Sequence, residues 1–192
     1  MDEQSLLIPD AAAWRAWLDA NEDLSNGVWL VLAKKGTVSP TTLTYAQALD
    51  EALCSGWIDG QKRGLDSATF LQRFTPRRRG SIWSQRNVGL VETLIEQGRM
   101  RPRGQAEITR AQIDGRWDRA YPGAATAEVP DDLTAALAAS PTAAARFAAL
   151  NAGERYPHLF PIMTAAPALR ARRIAALVQR LGNAQPAATS ED

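Results

Sequence analysis

The chain has 192 residues, 45% hydrophobic and 22% charged, with a formal net charge of +1. That is length enough for a full hydrophobic core and leaves no global field to draw the whole molecule onto nucleic acid or a membrane. Its one cysteine, Cys54, excludes an internal disulfide and a thiolate cage, and its one histidine, His158, excludes a multi-histidine metal centre, so no cofactor or metal is expected. The opening MDEQSLLIPD lacks the basic start of a signal peptide, and no window approaches the ~18 apolar residues of a membrane span. A cytoplasmic protein is expected.

In chain order, Pro9 and Asp10 open a helix with Trp14, Trp17 and Leu18 on one face and Asp10 as N-cap. After a turn at Asn26-Gly27, VWLVLA (28–33) is apolar on both alternating faces, as in a strand covered on both sides. Thr44 to Gln47 has the form of a capping box. It starts a helix whose stripe is Tyr45, Leu49, Ala52 and Leu53; Cys54 points away from the middle of that stripe, and Gly56 suits its end. Trp57-Ile58 reads as a short strand followed by turns at Asp59-Gly60 and Gly64 before Leu65, and Thr69 to Phe74 as the next strand, with Phe70, Gln72 and Phe74 on one face and Leu71 and Arg73 on the other, stopped by Pro76.

From there the pattern is helical. Ser81 or Ser84 caps a helix carrying Val88, Val91, Leu94 and Ile95; another starts at Pro102 and closes near Gly115. Small residues from Pro122 to Pro130 form a connection. Asp131 caps an alanine-rich helix to Ala139, Pro141 begins one running to about Leu150, and Leu169 to Leu181 is a final amphipathic helix. The expected fold is α+β: a small, mostly antiparallel sheet packed by helices, with an all-helical C-terminal half. The expected divisions are an α+β core domain over 1–121, a helical subdomain over 122–182 and a disordered tail over 183–192.

Charge is uneven. From Lys62 to Arg103 there are ten basic residues against Asp66, Glu92 and Glu96, and from Ser67 to Val91 there is no acid at all. That acid-free interval holds Arg73, Arg77, Arg78, Arg79 and Arg86 among Phe70, Phe74 and Trp83. Guanidinium groups offer forked donors and stack on rings, which suits a planar or phosphorylated anion.

The runs ALCSGWIDG (52–60) and QRFTPRRRGSIWSQRN (72–87), with the later GRM and GRWDRAY, resemble the bacterial YdeI/OmpD-associated family, linked by name to bacteriocin protection. The resemblance spans most of the chain, from the first helix to the last. It implies association with stress or antimicrobial tolerance and no particular chemistry. Asn87, Met100, Trp117 and Tyr121 match family motif positions. Two departures stand out. After Arg155-Tyr156 the family's regular helix meets Pro157 and Pro161, so a shortened or kinked helix is expected; and Thr164-Ala165-Ala166 replaces a usual Thr-Ala-Lys run.

The candidate ligand-binding residues are Trp57, Asp59, Arg73, Thr75, Arg77, Arg78, Ser81, Trp83, Ser84 and Asn87. One reading gathers arginines and the bare N–H groups of a helix start around an anionic small molecule. The other makes the arginines a brace, paired to Asp50, Glu51, Asp59 or Asp66 and lying over tryptophans. Trp57 and Asp59 read more readily as core and turn than as platform and carboxylate. An enzyme would need Cys54, Asp59 or Ser81 beside the arginines, Cys54 otherwise being a packed thiol. Binding of nucleic acid or a partner protein would need an exposed basic stripe. No Walker loop is present, and nothing assigns an oligomeric state.

Overall fold

In a computed structural model, residues 5–183 are described; apart from Asn183, the expected tail lies outside them. Contacts divide the chain into two compact units, between Ala120 and Tyr121.

The first unit contains β1 (Ser5–Leu6), α1 (Ala11–Asn21), β2 (Val28–Ala33), α2 (Tyr45–Cys54), β3 (Trp57–Gly64), β4 (Thr69–Pro76), α3 (Gln85–Glu96) and α4 (Pro102–Ile113). The sheet has the order β1-β2-β4-β3, with β1 parallel to β2 and the other neighbours antiparallel. All six residues of β2 are buried, as its unbroken apolar run requires. Val28, Leu30 and Leu32 face the helices and join Phe70 and Phe74 in one core with Trp14, Leu18, Leu49, Leu53 and Ile108. Trp29 lies on the other face, under the Arg63 guanidinium at 4.0 Å.

The helix starts follow local chemistry. Asp10 accepts from the Ala13 N–H, Thr44 and Gln47 close a reciprocal capping box, and Ser84 accepts from the Asn87 N–H. The choice between Ser81 and Ser84 therefore falls to Ser84. Gly56, at φ 71°, takes the left-handed position after α2.

Two expectations about this unit are corrected, the short β3 and the turn at Asp59-Gly60, while Cys54 proves to be the packed thiol. β3 runs eight residues rather than two, so Asp59 and Gly60 are in a strand, not a turn. A bulge between Asp59 and Lys62 absorbs the irregularity that the glycines signalled, and the buried Gln72 amide donates to the bulge carbonyls of Gly60 and Gln61 at 2.9 and 3.2 Å. Cys54 is fully buried in the core despite its angular offset. The reason is that α2 has more than one packed side: it contacts α1, β3, α3 and α4. At Cys54 α4 comes so close that a Cβ on Gly104 would run into the Cys54 carbonyl oxygen.

The second unit holds α5 (Asp131–Ala138), α6 (Pro141–Ala149), α7 (Ala152–Met163) and α8 (Pro167–Asn183). Leu133, Leu137, Phe147, Leu159, Ile162, Ile174 and Leu177 form its core. Arginines close helix ends here: Arg155 donates to the carbonyls of Phe147 and Ala148 at the end of α6, and Arg146 to those of Leu181 and Gly182 in α8. Two expectations shift. The N-cap of α5 is Pro130, with Asp131 in the first turn. Of the shortened or kinked helix expected after Arg155-Tyr156, the shortening does not occur: α7 runs twelve residues with Pro157 and Pro161 inside, anchored at its start by a capping box of Asn151 and Glu154.

Candidate functional site

The arginine-rich motif is the junction that carries β4 into α3. β4 ends at Pro76, where the Arg77 N–H donates to the Gly56 carbonyl at 3.0 Å and so ties the chain to the end of α2. A tight turn follows, in which the Arg78 N–H donates to Ser81 Oγ at 2.9 Å and the Ser81 N–H to the Arg78 carbonyl at 2.9 Å. Arg77 folds back over Trp83, its guanidinium carbon 3.5 Å from the ring centre, and donates to the Ile82 carbonyl at 3.3 Å. Trp83 is buried and leans on Trp117 with 4.9 Å between ring centroids. Arg77 and Trp83 are thus the wall of the junction rather than its opening.

The polar groups expected to converge are shared out. Ser84 is occupied as the cap of α3, and Asn87, buried in the first turn, supplies the N–H that it accepts. Trp57 is fully buried, set edge-on to Trp14 and Trp17 at 6.5 and 5.9 Å, so it is core and not a platform. Strand parity separates others. Arg73 pairs with Trp29 and Thr75 with Ile58 on the face opposite the helices, whereas Asp59 pairs with Phe74 on the helix side. Arg73 approaches Trp29, with 6.0 Å from guanidinium to ring, and Thr75 packs over Gly27.

The acids named as partners for this motif go elsewhere. Glu51, buried in α2, pairs through one oxygen with Arg99 at 2.7 Å and through the other with Arg101 at 2.5 Å. Arg101 is also buried and adds bonds to the Glu51 carbonyl and Ser55 Oγ, with Asp19 3.0 Å from its Nε. Asp50 lies 3.7 Å from Arg99. Asp66 closes its own turn on Ala68 and Thr69, bonds that hold its carboxyl below the usual range. Among the described residues Arg78, Arg79 and Arg86 make no ion pair. All three are exposed. Arg79 lines a groove of about 980 Å³ along α4, beside Pro102, Ala106, Arg110 and Ile113.

Residues 6–107 match a domain of unknown function, DUF8412, and residues 126–183 match the family described as bacteriocin-protection, YdeI or OmpD-associated. The chain belongs to the DUF8412 family and carries a YdeI/OmpD-associated domain. No curated protein and no solved structure matches it. The central motif, residues 52–60 and 72–87, falls within the DUF8412 match, and Arg155-Tyr156 within the YdeI/OmpD-associated domain. The resemblance thus holds for the second unit, while the motif that suggested it lies in the other matched domain.

Within the DUF8412 region the three groups that an enzyme would need sit in separate settings. Burial pushes the Cys54 thiol up to about 11, with the Glu51 carboxylate adding to it, so the nucleophilic thiolate is disfavoured. Ser81 Oγ is occupied by the Arg78 N–H. Asp59 Oδ2 accepts the Tyr45 phenol at 2.8 Å. No hydrogen bond among the described residues joins any two of these side chains.

Tyr45 is the residue that sequence reasoning missed, having placed it only in the apolar stripe of α2. It is half-buried, with Asp59 on its hydroxyl and the Arg86 guanidinium 5.5 Å from its ring centre. Burial, then the Asp59 bond and charge, push the phenol up to about 12 against the opposing Arg86 cation. Among the described residues no cluster of three or more His, Cys, Asp or Glu is arranged to hold a metal, and no helix is long and apolar enough to cross a membrane.

Proposed function

We propose that the DUF8412 unit binds an anionic small molecule or metabolite at the start of α3, and that through this binding the protein contributes to stress or bacteriocin tolerance in the cytoplasm. The observation that carries the reading is the charge at that helix start. Its first turn holds no acid, it includes Arg86, and the exposed Arg78 stands shortly before it without an ion pair among the described residues. A helix N-terminus attracts anions through its bare N–H groups and dipole, and carboxylates commonly occupy that position from within the chain. Here the chain supplies cations instead.

Arg77, Trp83, Ser81 and Ser84 then shape the site without touching the ligand, since each is engaged in the junction itself. A polyanion is a poorer fit. Arg63 and Arg73 lie over Trp29 on one side of the sheet while Arg86 lies over Tyr45 on the other, so these cations form no single stripe. The tolerance role follows the description of the family matched by residues 126–183.

Calorimetry and thermal shift against a panel of phosphorylated and carboxylated metabolites test the proposal. An anion should raise the melting temperature of the wild type and have little effect on an Arg78→Ala/Arg86→Ala variant. A panel with no binder, or one that shifts both proteins equally, overturns it.

A further inference from the structure

Three side chains from three elements meet beside the start of α3. Tyr45 is the first residue of α2, Asp59 lies in β3 on the helix side of the sheet, and Arg86 belongs to the first turn of α3. The Tyr45 hydroxyl donates to Asp59 Oδ2 at 2.8 Å, and the Arg86 guanidinium sits over the same ring at 5.5 Å. Among the described residues neither Asp59 nor Arg86 forms an ion pair, with each other or with any other group. Three secondary-structure elements thus hold a carboxylate and a guanidinium against one phenol without pairing them with each other.

An open pair of this kind has a defined complement. A carboxylate accepts and cannot donate; a guanidinium donates and cannot accept. Tyr45 occupies one oxygen of Asp59 and leaves Oδ1 as an acceptor, while the phenol's proton remains committed. A plain anion would satisfy Arg86 and be repelled by Asp59. A molecule with an anionic group at one end and an ammonium a few bonds away would satisfy both, each contact being a charge-assisted hydrogen bond.

We infer that the Asp59–Tyr45–Arg86 cluster selects a small zwitterion, its anionic group held by Arg86 at the start of α3 and its ammonium by Asp59. This rests on the anion-binding reading above and names the substrate class of that site. Tyr45 is the positioning residue: its hydroxyl fixes one oxygen of the carboxylate.

Two probes differing only in the ammonium decide the matter: 2-aminoethyl phosphate and ethyl phosphate, titrated into the full chain by calorimetry. The aminoethyl compound should bind at least about tenfold more tightly, the worth of one charge-assisted contact. Asp59→Asn, which keeps an acceptor for Tyr45, should abolish that preference and leave ethyl phosphate no weaker; Arg86→Ala should weaken both. Equal affinity of the wild type for the two probes overturns the zwitterion and leaves the anion site standing. A preference that survives in Asp59→Asn overturns the role of Asp59. If neither probe nor any panel anion binds, the anion site falls and this inference with it. Should Asp59→Asn fail to fold, the wild-type comparison still decides.

Discussion

The guanidinium carbon of Arg77 lies 3.5 Å from the centre of the Trp83 ring, and both side chains are buried. This contact fixes the path from β4 into α3, and it depends on a flat, delocalised cation that can stack and donate at the same time. Arg77→Lys keeps the charge and loses the plane. The variant should be less stable by about 1–2 kcal/mol, seen as a lower urea midpoint. An unchanged midpoint would mean that the stack contributes nothing to the junction.

Glu51 is held between Arg99 and Arg101, with Glu51 and Arg101 both buried. Removing one member of a buried pair strands the other charge, at a cost of about 3–5 kcal/mol. Glu51→Gln should fall near the lower end, because Asp19 still faces Arg101. Glu51→Gln with Arg101→Met should cost less than the two single changes added together. Chemical denaturation of the four proteins as a double-mutant cycle measures the coupling, and strict additivity would refute it.

How far these pairings could be read from the sequence depends on their range. Local devices were legible: the Asp10 cap, the Thr44 and Gln47 box and the buried β2 each follow from a few neighbouring residues. The mostly antiparallel sheet and the helical C-terminal half follow from periodicity in the same way. The partners of Glu51 were not legible, because Arg99 and Arg101 lie 48 and 50 residues away and nothing in composition says which arginine takes which acid. Asp59-Gly60 carries the signature of a turn, and only the Gln72 amide, brought in from β4, makes a bulged strand of it. The candidate site was scattered for a related reason. Alternation puts Arg73 on the face opposite Phe70, Gln72 and Phe74, which is legible in the sequence; that the helices cover the Phe74 face, and that Asp59 shares it, follows only from pairing with β2 and β3.

Tyr45 links stability to alkaline pH. Its phenol is pushed up to about 12 from the ordinary 10.0, so the fold favours the neutral form. The resulting stabilisation is complete below pH 10 and is lost as pH rises through about 12. Absorbance titration should show a phenolate step near that value, which Tyr45→Phe removes; the stability of Tyr45→Phe should also decline less over this interval. If all the tyrosines ionise together near the ordinary value, the Asp59 contact is not made in solution.

Two glycines should respond in opposite ways. Gly104 in α4 lies against the end of α2, where a Cβ would collide with the Cys54 carbonyl oxygen, so Gly104→Ala should cost about 3 kcal/mol or more by forcing the helices apart. Gly89 is an exposed residue of α3, and a methyl added there would meet nothing within 4 Å. Gly89→Ala should therefore stabilise the protein by about 0.5–1 kcal/mol through helix propensity. Thermal denaturation compares them, and equal melting temperatures would contradict the close approach at Gly104.

The bulge in β3 bears on behaviour in crowded solution. Of the two outermost strands, β1 spans only Ser5–Leu6 among the described residues, which leaves β3 as the extended rim there that a stray chain could join. There the Gly60 and Gln61 carbonyls are turned inward to Gln72, and Lys62 and Arg63 follow at once. Like charges on two such rims repel, and the kink spoils their alignment. The unit is thereby protected against templating the fibrous aggregates to which flat, uncharged sheet borders are prone.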